Sequence, residues 1–489
     1  MSCVRGMRAL SHLRSPALSL RWVTSLPSIL ARRPRHIAIR RYRHGLNPPS
    51  HPARGTVVAP RPRQLRARAC SVKLVILSQY YPPEVGAPQS RLSALAREFV
   101  RRGHQVTVLT AMPNYPTGRI YRGYGGLFRR EQRDGVTVLR TFIWPSQKAD
   151  LPRRLASYFS FIVSAAWFGS AYLDAADYLM VESPPLFLGL SGVLLSRLKR
   201  ARMIFNVSDL WPESAVQLGL VRRGSASHRL GALLESFCYR HAWLVTGQSR
   251  EIVSNISARF PHCRTLHMSN GADSGEFGPD RATAASRELL GKNGNCLALY
   301  AGLHGLAQGL ELLVDAAGSL PVGSNLDMVL MGDGPTKASV VNRVTDRGVQ
   351  RVRFLSPHPH CEMPAILAAA DVLIVPLLRY LPGAVPSKVY EAMATGRPVV
   401  LMAEGEAARI VRDHDAGIVV APGDVAGLVH ALDRLSSNIG LRGRLGANGR
   451  AAAVRFFDRS QIVGRFIDVL EQNLPSETHP VGKGFQPSR

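Results

Sequence analysis

The chain has 489 residues, 46% hydrophobic and 20% charged. This excludes a fibrous or wholly disordered protein and leaves room for two or three domains. The formal net charge of +28 is uneven: residues 1–70 hold 15 Arg and no Lys, Asp or Glu, so only +13 belongs to the other 419 residues. No zinc-finger spacing, basic heptad or RNA-binding aromatic signature is present, which sets nucleic acid aside and points the basic body toward a membrane surface or a pyrophosphate-bearing substrate.

Residues 1–70 are rich in Arg, Pro and Ser and lack a sustained apolar period. They read as a disordered basic leader, with a transit peptide or an over-extended gene start as the alternatives. The fold is expected to begin at Val72. Lys73 to Ser78 is a strand, Tyr81 to Pro88 a Pro/Gly loop, Ser90 to Arg102 a helix with Leu92, Leu95, Ala96 and Phe99 on one face, and Gln105 to Thr110 a second strand. Such a strand–helix–strand unit predicts a parallel sheet. Leu155 to Tyr172 is long and apolar but interrupted by Ser157, Ser160, Ser164 and Ser170. It reads as a buried or interface-lying helix rather than a membrane span. Arg129, Arg130, Arg133, Arg153 and Arg154 nearby suggest a membrane-facing patch.

Strands continue at Tyr178 to Glu182, Met203 to Val207 and Trp243 to Gly247, and the pattern restarts past residue 290. Leu297 to Ala301, Asp327 to Met331, Val352 to Leu355, Val372 to Val375 and Pro398 to Leu401 form a second set, with a helix at Gly309 to Ala317. The expected class is therefore α/β. One half spans residues 71–275 and a second 276–458, facing across a cleft, and a helix at about Arg459 to Asn473 crosses back to the first half. In open parallel sheets, ligands sit outside the carboxyl ends of the strands, so the cleft is the expected site.

The sharpest chemical signal is Pro386-Ser387-Lys388-Val389-Tyr390-Glu391, a loop running into a helix N-terminus. Free N–H groups and the positive end of the helix dipole suit a pyrophosphate, and Lys388 adds a cation. Glu391, one turn in, either hydrogen-bonds a ribose diol or is a surface acid placed favourably by the dipole. The six cysteines, Cys3, Cys70, Cys238, Cys263, Cys296 and Cys361, form no CxxC pair. That argues against zinc and fits a reducing, cytoplasmic compartment. Asp413-His414-Asp415 matches a metal-binding DxD but lies in a polar loop after a helix, so no metal site is expected. His104, in a helix-to-strand turn, reads as structural. The first βα loop carries no GxGxxG, which argues against an NAD enzyme.

With these residues in view, the chain resembles the family 4 glycosyltransferases, retaining enzymes of the GT-B fold, over about residues 72–473. Glu391-Ala392-Met393-Ala394-Thr395-Gly396-Arg397-Pro398-Val399-Val400 is similar to that family's most specific segment. The resemblance gives Glu391 the donor ribose, Pro386, Ser387 and Lys388 the pyrophosphate, and Phe354-Leu355 the nucleobase. The family's second Glu, eight positions before the first, is Gly383 here. Tyr80-Tyr81-Pro82-Pro83-Glu84-Val85-Gly86-Ala87 with Arg91, Asn114-Tyr115-Pro116, Ser183-Pro184-Pro185-Leu186 and Asp209-Leu210-Trp211-Pro212-Glu213 resemble a bacterial surface-polysaccharide subgroup. Its members transfer N-acetylated amino sugars such as N-acetylfucosamine from UDP. That implies donor contact at Gly86 and acceptor contact at Glu84 and Arg91.

Asn270-Gly271-Ala272-Asp273 looks like the family's hinge, and Gly332-Asp333-Gly334-Pro335 its donor-side turn. Gly302-Leu303-His304-Gly305-Leu306-Ala307-Gln308-Gly309 departs from the family: Gln308 stands at a Lys position, and His304 either helps the phosphates or is an ordinary loop histidine. Lys388 would then stabilise the leaving phosphate, and Asp209 either orients the acceptor, stabilises positive charge on the sugar, or caps the helix that follows. The implied activity is retaining, metal-free and cofactor-free sugar transfer from a UDP-sugar to a lipid-linked or saccharide acceptor, at the inner face of the cell membrane. A nucleotide-sugar 2-epimerase and a degenerate sugar-binding subunit are the alternatives.

Overall fold

The computed structural model describes residues 71–115, 117–146 and 151–474. The expectations for residues 1–70, for the tail past residue 474, and for the side chain of Arg154 lie outside the described residues. The first sheet contains β1 (Lys73–Leu77), β2 (Gln105–Ala111), β3 (Phe128–Arg133), β4 (Val136–Thr141), β5 (Tyr178–Ser183), β6 (Arg202–Val207), β7 (Leu244–Gly247) and β8 (Thr265–His267). Their spatial order is β3-β4-β2-β1-β5-β6-β7-β8, parallel throughout except for the β3–β4 hairpin. The second sheet is entirely parallel: β9 (Cys296–Ala301), β10 (Leu326–Met331), β11 (Val352–Leu355), β12 (Val372–Pro376), β13 (Val399–Met402) and β14 (Gly417–Val420), in the order β11-β10-β9-β12-β13-β14. That is the doubly wound dinucleotide order.

The central strands are apolar on both faces because helices cover both faces; all six residues of β5 are buried. The fold is therefore GT-B, with two Rossmann-like sheets. The chain crosses between them twice, and the crossings are zipped together. The Ala272 N–H donates to the Phe457 carbonyl at 3.0 Å, and the Arg459 N–H to the Ala272 carbonyl at 2.9 Å. The final helix, Arg459–Gln472, returns to the first half as expected. Its Ile462, Val463, Phe466, Ile467 and Leu470 join a buried cluster with Leu92 and Phe99. Each such fully buried side chain contributes roughly 2 kcal/mol. His104 is structural, as expected: its Nδ1 accepts from the Val72 N–H at 3.2 Å.

Three features depart from the sequence reading. The β3–β4 hairpin, which turns at Asp134-Gly135 with both residues at positive φ, was read only as a run of arginines. The short strands β8 and β14 extend the two sheets. Residues Leu151–Tyr172 form helix α2 once the preceding helix, Ala87–Arg101, is numbered α1; α3 is Leu188–Leu198. One face of α2 (Phe161, Ile162 and Ala165) is buried in the first core. Among the described residues no helix is long and apolar enough to cross a membrane.

Candidate active site

A cavity of about 480 Å³ opens between the two halves, at the carboxyl ends of their strands. From the first half it is lined by Gly86, Arg91, Tyr115 and Asn270, and from the second by Gly302, Gly332, Ser387, Lys388 and Glu391. Two helix N-termini, one from each half, therefore face the same space. Neither α1 nor the Ser387–Ala394 helix has a side-chain cap or an acid in its first turn. Both leave backbone donors and a positive dipole end for an anion. Pro386 occupies the N-cap position of the second helix.

On the second half the site is made largely by backbone. The Gly302 N–H donates to the Met331 carbonyl at 2.9 Å, the His304 N–H to the Asp333 carbonyl at 2.9 Å, and the Thr336 N–H to the His304 carbonyl at 3.0 Å. The loops after β9 and β10 are thus zipped edge to edge. Gly332 sits at φ +143, where a β-carbon would overlap the Gly302 carbonyl, so glycine is required there. Gly334 meets the His304 backbone in the same way. Lys388 lies over Gly302, its Nζ 2.7 Å from where a β-carbon would be. Lacking a side chain, Gly302 lets the ammonium reach the cleft.

Several sequence-predicted residues support this surface rather than line it. His304 is fully buried, its ring between Tyr300 and Phe354. Burial, and then the nearby Lys337 cation, push its pKa down, which favours the neutral ring. Gln308 folds back over Gly305. Phe354 packs into the core, and the Leu355 carbonyl accepts from the Gly332 N–H at 3.0 Å. The residues that line this end of the cleft are Pro357, His358, His360 and Met363, none of which the sequence reading singled out.

On the first half the site is made by buried side chains. Arg91 is 7% exposed; it donates to Glu182 and, at 3.2 Å, to the Ser208 hydroxyl, while its other nitrogen reaches Asn270 Oδ1 at 3.0 Å. Glu182 also accepts from Asn206 at 2.7 Å, and Gln248 donates to Ser208 at 2.6 Å. This network fixes the guanidinium at the cleft and ties it to the hinge. Glu182 was missed; its signal is an acid at the end of an otherwise apolar strand.

The acceptor role expected of Glu84 is corrected. Its carboxylate is 2% exposed and accepts from the backbone N–H groups of Tyr81, Asn114 and Tyr115 at 3.2, 2.8 and 2.9 Å. It places Tyr115 at the cleft and has no free edge for a substrate. Asp209 is half-buried beside β6 and outside the lining of the cleft. Burial, then the charge of Glu182, raise its pKa. It does not cap the following helix, whose N-cap is Pro212. Gly383 has a physical reason. It sits at φ +75 against the Arg250–Arg259 helix of the first half, where a β-carbon would strike Ile252 and lie 3.0 Å from Ser249 Oγ.

A larger cavity of about 860 Å³ lies behind the hinge, lined by Arg250, His267, Arg409, Asp413, His414 and Arg465 among others. It also reaches strand carboxyl ends, at Leu266 to Ser269 after β8, but Lys388, Glu391 and the glycine-bearing loops after β9 and β10 do not line it, so size does not decide between the two. Asp415, near its edge, is at φ +45 and accepts from Arg444 and from Asn448 Nδ2 at 3.0 Å.

Comparison with known proteins gives the geometry a context. Residues 296–438 match the family described as glycosyl transferases group 1, and residues 86–271 match the glycosyl transferase 4-like domain. The chain is similar to the D-inositol 3-phosphate glycosyltransferase of Salinispora arenicola, 31% identical over 83% of this chain and 92% of that protein. It is also similar to WcaI of Escherichia coli K12, provisionally named a colanic acid biosynthesis glycosyl transferase, at 25% identity over 68% of this chain and 84% of that one. In fold it matches Anabaena HepE in complex with UDP and glucose, with a TM-score of 0.60 at 18% identity over 82% of this chain and 100% of the other.

Proposed function

The chain belongs to the group 1 glycosyl transferases, and from that premise we propose that it moves a sugar from a UDP-sugar to a lipid-linked or polysaccharide acceptor, with retention and without a metal ion. The observation that carries this reading is Lys388 and Glu391 one turn apart on an uncapped helix, both lining the cleft. The pyrophosphate lies on the N–H groups of the Ser387–Ala394 helix, with Lys388 beside it over Gly302. Glu391 accepts from the ribose hydroxyls. The base lies toward Pro357 and His358.

As the nucleoside diphosphate departs, negative charge grows on its β-phosphate. Lys388 and the helix dipole stabilise it there. The departing phosphate takes the acceptor proton on the same face, which retains configuration. Arg91 and the α1 N-terminus hold the acceptor side. The N-acetylated amino sugars of the resembling subgroup are the proposed donors. A relative's name in colanic acid biosynthesis supports a polysaccharide product.

The test is incubation with UDP-sugars, with and without a polyprenyl-linked acceptor, read by product mass. Transfer should survive excess EDTA, and Lys388→Ala should lower it by roughly 10²-fold or more. A changed nucleotide sugar without acceptor would indicate epimerisation instead. Loss of turnover in EDTA, restored by Mg²⁺ or Mn²⁺, would overturn the metal-free phosphate site.

A further inference from the structure

Helices α2 and α3 lie side by side on one face of the first sheet. The Ser191 hydroxyl donates to the Ile162 carbonyl at 2.8 Å, and Lys199 Nζ to the Ser170 carbonyl at 2.8 Å. Eight residues separate both the donors and the acceptors, so the helices run parallel and in register. Gly169 permits the close approach, because a β-carbon there would press on Leu195.

Their inner faces are buried in the core, yet their outer faces are also apolar. Phe159, Val163 and Trp167 form an i, i+4, i+8 stripe on α2, with Val163 67% and Trp167 74% exposed. Leu190, Leu194 and Leu198 form the matching stripe on α3. Each stripe is about 12 Å long at 1.5 Å per residue. Trp144, 65% exposed, is held beside α2 by its backbone bond to Ser160. Contiguous exposed apolar surface of this kind marks a contact surface, unlike single exposed residues.

Charge decides the occupant. Neither α2 nor α3 contains an Asp or Glu, and Arg197 and Arg200 are exposed at the end of α3. We propose that this two-helix face docks on an anionic lipid bilayer, with Val163, Trp167 and Leu194 in the acyl boundary and Arg197 and Arg200 on headgroup phosphates. A self-contact between two copies would bring the like-charged rims together, whereas phosphates neutralise them. Both helices begin at the carboxyl-end side of the sheet, on the side of the cleft. The Phe159–Leu190 end of the face is therefore the one nearest the site, and an acceptor on a lipid carrier would reach it from there. Only that last step rests on the glycosyltransferase reading.

The test is co-sedimentation of the full chain with vesicles of phosphatidylglycerol and phosphatidylcholine, or of phosphatidylcholine alone. Because it needs no turnover, it fails separately from the enzymatic assay. Wild type should bind the anionic vesicles preferentially. Val163→Glu with Trp167→Glu should weaken binding at least tenfold at an unchanged melting temperature. Arg197→Glu with Arg200→Glu, which leaves all packing in place, should abolish the preference for anionic lipid. Absence of wild-type binding, wild-type-like binding by both variants, or a lipid-free dimer dissociated by the Val163/Trp167 variant would overturn the proposal.

Discussion

The two halves share the order of their central parallel strands, which the first extends at both edges, but build their cleft surfaces by different means. The second half uses backbone: glycine-bearing loops after β9 and β10 and an uncapped helix end. The first half uses a buried side-chain network running from Arg91 through Glu182 and Ser208 to Gln248. A backbone surface presents N–H groups at fixed positions and suits a constant ligand part such as a pyrophosphate. A side-chain network can be altered one residue at a time and suits a part that differs between relatives, such as the acceptor.

The largest effect that could break this contrast is at Gly332. Gly332→Val forces a side chain into the Gly302 carbonyl at φ +143, so the two donor loops cannot zip. A stability loss of about 3 kcal/mol or more is expected from strain and overpacking together, and UDP binding should disappear. A variant that melts with wild type and binds UDP would show that the loops are not interlocked. Arg91→Ala comes next. It leaves the Glu182 carboxylate buried without its cation, at a cost of about 3 kcal/mol, the lower end for a broken buried pair. Affinity for UDP should stay near that of wild type while transfer falls. Unchanged denaturant stability would mean that the network does not hold the first-half surface together.

The same contrast explains what was legible in the sequence. Pro386 to Glu391 is one contiguous loop and helix start, so its candidacy as an anion-binding helix end could be read locally, and the structure puts Ser387, Lys388 and Glu391 on the cleft. Gly332 and Gly334 announce a tight turn, but not that the turn lies over His304 and buries it. Hence the histidine could be read as a phosphate ligand although its ring is buried and desolvation pushes its pKa down. Arg91 and Glu182 are 91 positions apart, and nothing local in either segment indicates their pairing. Glu84 was misassigned because its three partners are backbone N–H groups, which the sequence does not display. Gly383 appeared as a missing acid; its reason lies in the other half of the molecule, at Ser249 and Ile252. The Asp134-Gly135 turn was a readable hairpin signal, obscured by the charged edge strand beside it.

The smallest effect is the most direct test of the central claim, that the second half holds a nucleotide sugar by its backbone with Glu391 on the ribose. Calorimetric titration of UDP into wild type and Glu391→Ala isolates that contact, because Glu391 lines the cleft and no core depends on it. Affinity should fall by about 1–3 kcal/mol, the scale of a charged hydrogen bond, at an unchanged melting temperature. Equal UDP affinity in the two proteins would contradict the donor site.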